Sequence, residues 1–327
     1  MSMAADPTNM MIHVTAVIVA VTDNTPRVLI VNKSAEQSDS IGPGLPSGPF
    51  DPAHDDSLES GLRRLVEAQT GLDLYYVEQL YTFGNRFREL SEIEGGPRIV
   101  SVAYIALTHE DVVSASNAEW HDWYNFLPWE DWRNRRPEIL ESNIEPELSD
   151  WIERSQGQGK RRQRQDRVNV TFGSGPTSGM DSVLSLERFE LLYDAGLVSE
   201  AERDKGTPHT IAPGMGDPLI SDHRRILATA LGRLRGKLAY RPVVFELLPG
   251  EFTLLQLQRV AEALSGAKLH KQNFRRLVTN ADLVEPIGRT MTVGRGRPAE
   301  LFRFRREVLG EKLTVGLSRP IMRRHDA

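Results

Sequence analysis

The sequence predicts an α/β chain in two parts: an α/β/α sandwich built on a mixed sheet, followed by a winged helix-turn-helix domain. Two observations lead there. Runs rich in β-branched and aromatic residues at 13–20, 27–32, 73–83 and 98–107 alternate with helical patterns at 56–70 and 138–153, the order expected of a sheet covered by helices. From residue 222 onward the order changes to helix, helix, helix and hairpin, with cations gathered on the last helix and on the hairpin tip.

Each element has a local cause. Asp23, Asn24, Thr25 and Pro26 break the first two strands with turn formers. Asp56 and Ser57 start the first helix as caps, and Gly71 ends it in a left-handed position. Residues 85–97 are polar and Gly-rich and separate the third and fourth strands. Trp120, Trp123, Trp129 and Trp132 crowd the next stretch, where they either fill the edge of a core or form an aromatic platform for a base. Residues 156–167, QGQGKRRQRQDR, lack apolar periodicity and read as a flexible, cationic tether. Leu184, Leu186, Phe189, Leu191, Leu192 and Leu197 around Gly196 predict two short packed helices, and residues 207–218 a loop.

The last part begins with an amphipathic helix from Asp222, stopped by Pro242, with Ile226, Leu227, Ala230, Leu231, Leu234 and Leu238 on one side. A short apolar run at 243–248 follows. Thr253 caps a helix over 254–264 that ends at Ser265 and Gly266. The helix over 271–280 turns Phe274, Leu277 and Val278 inward and presents Lys271, Gln272, Asn273, Arg275 and Arg276 on one broad face, the division expected of an element that enters a major groove. Strands at 283–287 and 301–304 flank a loop containing Arg289, Arg295 and Arg297, a cationic wing suited to phosphates or a minor groove. Three segments result: 1–154, 155–220 and 221–327.

With 327 residues the chain has room for more than one core. The net charge of -5 is uneven: residues 221–327 hold 21 Lys or Arg against 10 Asp or Glu, a net of +11, which leaves -16 on residues 1–220. A basic part joined to an acidic part points to a polyanionic partner. The absence of cysteine excludes disulfides and thiolate metal sites and fits a cytoplasmic location. His13, His54, His109, His121, His209, His223 and His270 show no metal-ligand spacing and read as surface or locally bonded residues. The apolar run at 14–21 is too short to span a bilayer and has no basic leader before it.

The stretch 45–72, LPSGPFDPAHDDSLESGLRRLVEAQTGL, resembles the Nudix box, and aligning its end on Gly71 and Leu72 puts the family arginine at Arg64. The family's metal-binding glutamates then fall on Leu65, Ala68 and Gln69. Hard cations need oxygen ligands that Leu and Ala lack, so the resemblance implies a nucleotide pocket without hydrolysis and without a metal. Glu59 and Glu67 are the nearby acids, but Glu67 sits about 100° around the helix from Ala68 and points elsewhere.

Taken with QLYTFG, VSVAYIAL, FTLLQLQ, KQNFRRL and GRGRPAELFRF, the order of motifs resembles the Nudix-related transcriptional regulators of NAD metabolism, apart from about residues 155–218. The resemblance implies a catalytically degenerate Nudix-like domain that senses ADP-ribose or a related NAD metabolite, with no required cofactor. It also implies a homodimer on a palindromic operator, acting as a repressor of NAD biosynthesis or salvage genes. Arg64, Phe83, Arg86 and Arg98 are the candidates to meet the effector's phosphates and base, each with surface pairing or core packing as the alternative. Two other readings stay open: an active hydrolase of ADP-ribose or another nucleoside diphosphate, and a regulator of sugar catabolism with the same architecture.

Overall fold

The structure, a computed structural model, describes residues 10–34, 41–85, 92, 95–110, 113, 115–173, 181–205, 212–238, 243–292 and 298–306. The sheet starts with a hairpin of β1 (Met10–Thr22) and β2 (Thr25–Lys33). Its two-residue turn, Asp23 and Asn24, has φ of +49° and +62°, the left-handed region that primed hairpin turns require and that Asp and Asn tolerate. β3 (Gly42–Gly44) pairs with β2, and β4 (Ser47–Pro49) pairs with β1. Helix α1 (Leu58–Thr70) follows, then β5 (Tyr76–Phe83), β6 (Arg98–Leu107) and β7 (Ala118–Asp122). β6 runs parallel to β1, while β2, β4 and β5 pair antiparallel with their neighbours, so the sheet is mixed, in the order β3-β2-β1-β6-β5. β7, which the sequence did not reveal, adds to β2.

The alternation along β1 decides what covers each face. Val14, Ala16 and Ile18 join Leu62, Leu65 and Val66 of α1 in one core. Val17 and Val19 point the other way, into a larger core containing Trp123, Trp129, Phe189, Leu231, Leu257 and Phe274. The second face of the sheet is thus covered by described elements that lie between Trp123 and Phe304 in the chain. Trp123 and Trp129 are fully buried there, which answers the aromatic question in favour of packing.

Those elements are α2 (Trp123–Phe126), a 3-10 turn (Pro128–Glu130), a π turn (Leu140–Ile144), α3 (Glu145–Glu153), α4 (Gln158–Phe172), α5 (Ser185–Ala195), α6 (Ser199–Lys205) and α7 (His223–Leu238). Helix α4 corrects the expectation of a flexible tether. Arg164 lies 4.0 Å over the Trp151 ring, Arg167 pairs with Asp194 at 2.5 Å, and Val168 and Phe172 pack on the larger core. Tertiary contacts supply what the missing apolar period could not signal.

A 3-10 turn (Val243–Leu247), β8 (Phe252–Thr253), α8 (Leu254–Ser265), α9 (Lys271–Asn280), β9 (Val284–Met291) and β10 (Ala299–Phe304) complete the fold. β10 lies between β8 and β9 in a separate three-stranded sheet, and Phe304 stacks on Phe245 at 4.2 Å to hold that sheet against the helices. This is the winged helix-turn-helix order. Among the described residues, no helix is long and apolar enough to cross a membrane.

Candidate effector pocket and nucleic-acid interface

Helix α1 is fixed at both ends by its own sequence. Ser57 and Ser60 cap each other reciprocally, with Ser60 N donating to Ser57 Oγ at 3.1 Å and Ser57 N to Ser60 Oγ at 2.8 Å. Gly71 closes the helix at φ +77°. The three positions where a diphosphate-hydrolysing helix would carry acids are thereby placed. Leu65 is buried against the preceding loop, so that a Cβ added at Gly48 would meet its Cδ1 at 2.6 Å. Ala68 is exposed. Gln69 spends both ends of its amide on Ser47, its Oε1 accepting from Ser47 N at 3.2 Å and its Nε2 donating to Ser47 O at 3.0 Å.

The same carbonyl accepts from the ammonium of Lys33 at 3.0 Å, and Lys33 is buried. Neither the Lys33 side chain nor the Gln69 amide supplies the carboxylate oxygens that a hard divalent cation needs. Among the described residues, no group of three or more His, Asp or Glu side chains is arranged to hold a metal ion. The donor set does not fit the cations that the Nudix resemblance would otherwise imply.

Arg64 forms a two-pronged pair with Asp55, Nε to Oδ1 at 2.7 Å and Nη2 to Oδ2 at 2.8 Å. That hydrogen bond, with a second from the Asp51 backbone, holds the Asp55 carboxyl down at about 2. Phe83 is buried in the larger core, edge-on to Tyr81 at 5.2 Å. Arg98 donates to Gly84 O at 2.7 Å, which puts it beside the end of β5 and close to Phe83, whereas Arg64 lies on α1. Arg86 falls outside the described residues.

The loop leading into the box has a support that sequence reasoning missed. Leu45 N donates to Nδ1 of His223 at 2.9 Å, and Ile220 N donates to Pro43 O at 2.9 Å. His223 is buried at the start of α7, so its reading as a surface or locally bonded residue is corrected: its partner is far away in sequence. A lone histidine before an amphipathic helix carries no signal of this.

On the basic side, α8 begins with a capping box of Thr253 and Gln256 and ends at Gly266 with φ +69°. Helix α9 follows a short turn. It buries Phe274 and Val278 and exposes Lys271, Gln272, Arg275 and Arg276, with Asn273 partly covered. Among the described residues, Lys271, Arg275 and Arg276 have no ion-pair partner. Wing residue Arg289, by contrast, pairs with Glu251. Arg295 and Arg297 lie outside the described residues.

The described elements form a mixed sheet covered on one face by α1 and on the other by a core shared with the winged-helix elements. Residues 244–304 match the family model of the NrtR DNA-binding winged helix domain. The chain is 37% identical over 86 residues to the ADPR responsive transcriptional repressor NtrR of Acinetobacter baylyi (strain ATCC 33305 / BD413 / ADP1), a match spanning 26% of this chain and only 34% of that relative. Shewanella oneidensis NrtR, solved in complex with a 27mer DNA, superposes with a TM-score of 0.55 at 24% identity over 91% of this chain and 95% of its own. A MutT/nudix family protein from Enterococcus faecalis shares the fold at a TM-score of 0.52 and 16% identity, over 93% of this chain and 90% of that one.

Proposed function

We propose that the chain is a DNA-binding transcriptional repressor that senses ADP-ribose or a related nucleotide through a Nudix-like domain that has lost hydrolysis, and that it regulates NAD biosynthesis or salvage genes from the cytoplasm. The observation that carries this reading is the combination, in one molecule, of a cationic face on α9 that has no ion-pair partner among the described residues and a box whose acid positions are filled by Leu65, Ala68 and Gln69. The A. baylyi relative is named as an ADPR responsive repressor, which supports the effector.

In this reading residues 1–154 sense, 155–220 connect and 221–327 bind DNA. Lys271, Gln272, Asn273, Arg275 and Arg276 read base edges, while Arg289, Arg295 and Arg297 follow the backbone. Arg98 and Arg86 meet the effector's phosphates beside Phe83. Arg64 contributes by holding the box loop through Asp55. A homodimer sets two α9 helices about 34 Å apart on a palindromic operator. Neither a metal nor another cofactor takes part.

Purified chain titrated onto its own upstream DNA, with and without ADP-ribose, NAD and simple sugars, tests the reading. Specific retention relieved by a nucleotide supports it, relief by a sugar alone replaces the effector, and turnover of ADP-ribose with magnesium or manganese overturns the loss of hydrolysis.

A further inference from the structure

Helix α7 is bonded at one end to the segment that precedes the Nudix-like box and at the other to the last turn of α8, which leads into α9. At its start, Nδ1 of His223 accepts from Leu45 N, in the loop that leads to Ser47 and Gln69. Space there is tight: a Cβ at Gly44 would lie 2.6 Å from Ile220 and 2.9 Å from Nδ1 of His223. Near its end, Arg235 donates through Nε to Leu264 O at 3.2 Å, in the last turn of α8. The two residues are twelve apart, about 18 Å along a helix axis, and nearly every residue between them is buried.

The α8 end of this connection is gripped from several sides. Tyr124 Oη donates to Ala263 O at 2.7 Å and Trp132 N to Gly266 O at 2.7 Å. Arg235 is itself fixed by Glu130, through the Glu130 carbonyl at 2.9 Å and its carboxylate. Arg188 of α5 clamps the same carboxylate at 2.5 and 2.9 Å. Only four residues separate Gly266 from the start of α9, so whatever fixes Gly266 fixes the direction of the helix that carries Arg275 and Arg276.

We propose that α7 is a rigid strut that couples effector binding to DNA binding, with His223 and Arg235 as positioning residues at its two ends. An effector that displaces β3 and the turn into β4, residues 42–48, shifts His223, and α7 passes the shift to Arg235 and the α8–α9 turn. Ligand then favours one of two placements of α9, which is the condition for coupling between sites. The proposal rests on the regulator reading and adds which residues carry its regulation.

The test measures operator affinity of the full chain by fluorescence anisotropy, with and without ADP-ribose, for wild type, His223→Leu, His223→Gln and Arg235→Lys. In wild type ADP-ribose lowers operator affinity by about 5- to 150-fold. His223→Leu, which removes the acceptor, shrinks that response by about 2- to 10-fold, the value of one hydrogen bond. Arg235→Lys, which keeps the charge but loses the fork, does the same, and His223→Gln, which restores an acceptor, recovers the response.

A His223→Leu chain that responds like wild type overturns the strut alone. A wild-type chain that ignores ADP-ribose overturns the functional reading and the strut with it. Amide hydrogen exchange of the unaltered protein covers the case in which a variant does not fold. ADP-ribose changing protection at residues 263–270 supports the strut, and unchanged protection there overturns it.

Discussion

Arg275 and Arg276 differ from most cations in this protein in having no carboxylate partner among the described residues. A guanidinium already paired must give up that pair to meet a phosphate or a base, whereas an unpaired one pays no such cost. Replacing Arg275 or Arg276 with Ala should therefore weaken operator binding by about 1–3 kcal/mol each, while Arg289→Ala, which mainly breaks the pair with Glu251, should weaken it less; affinities at one fixed salt concentration check the order. Asp55 supplies a second residue-scale expectation. Its carboxyl is held at about 2 against an ordinary 3.8, so the folded state prefers the charged form. The Asp55–Arg64 pair then contributes its full stability above pH 3.8 and loses it as the pH falls from there toward 2. In Asp55→Asn, acid unfolding followed by tryptophan fluorescence should lose that share of its pH dependence.

At the scale of elements, the parts legible in the sequence are those with local causes. Ser57, Gly71, Thr253 and Gly266 mark helix ends through bonds within a few residues, and each marks an end in the structure. The divided face of α9 was legible for the same reason. Helix α4 was not, because Arg164 and Arg167 hold it by reaching Trp151 and Asp194. Glu130 was equally hidden, since its partners Arg188 and Arg235 are 58 and 105 residues away. Burial alone would push the Glu130 carboxyl up, but the two guanidiniums outweigh it and hold it below the usual carboxylate range. Gly266 meets this cluster. A Cβ there would lie 2.4 Å from Arg235 Nη2 and from the Glu130 carbonyl, on backbone at φ +69°. Gly266→Ala should cost at least about 1–3 kcal/mol from backbone strain alone, read as a lowered urea midpoint, with operator affinity falling as α9 loses its placement.

For the whole molecule, the sheet has one face toward α1 and the other toward a core shared with the winged helix. The Nudix-like sheet and the winged-helix elements are therefore packed together through one core among the described residues. The charge follows the same division, -16 on residues 1–220 and +11 on residues 221–327, so that in the proposed function the basic part faces the duplex and the acidic part is repelled from it. The sequence revealed both halves and the missing acids, but their docking depends on contacts such as His223 with Leu45, 178 residues apart, and no local pattern encodes that. The most direct test follows operator binding over time after a single addition of ADP-ribose in the presence of magnesium. The account predicts that DNA is released at once and stays released, because the nucleotide is sensed and not consumed. Rebinding of DNA as the nucleotide disappears, or no release at all, would contradict it.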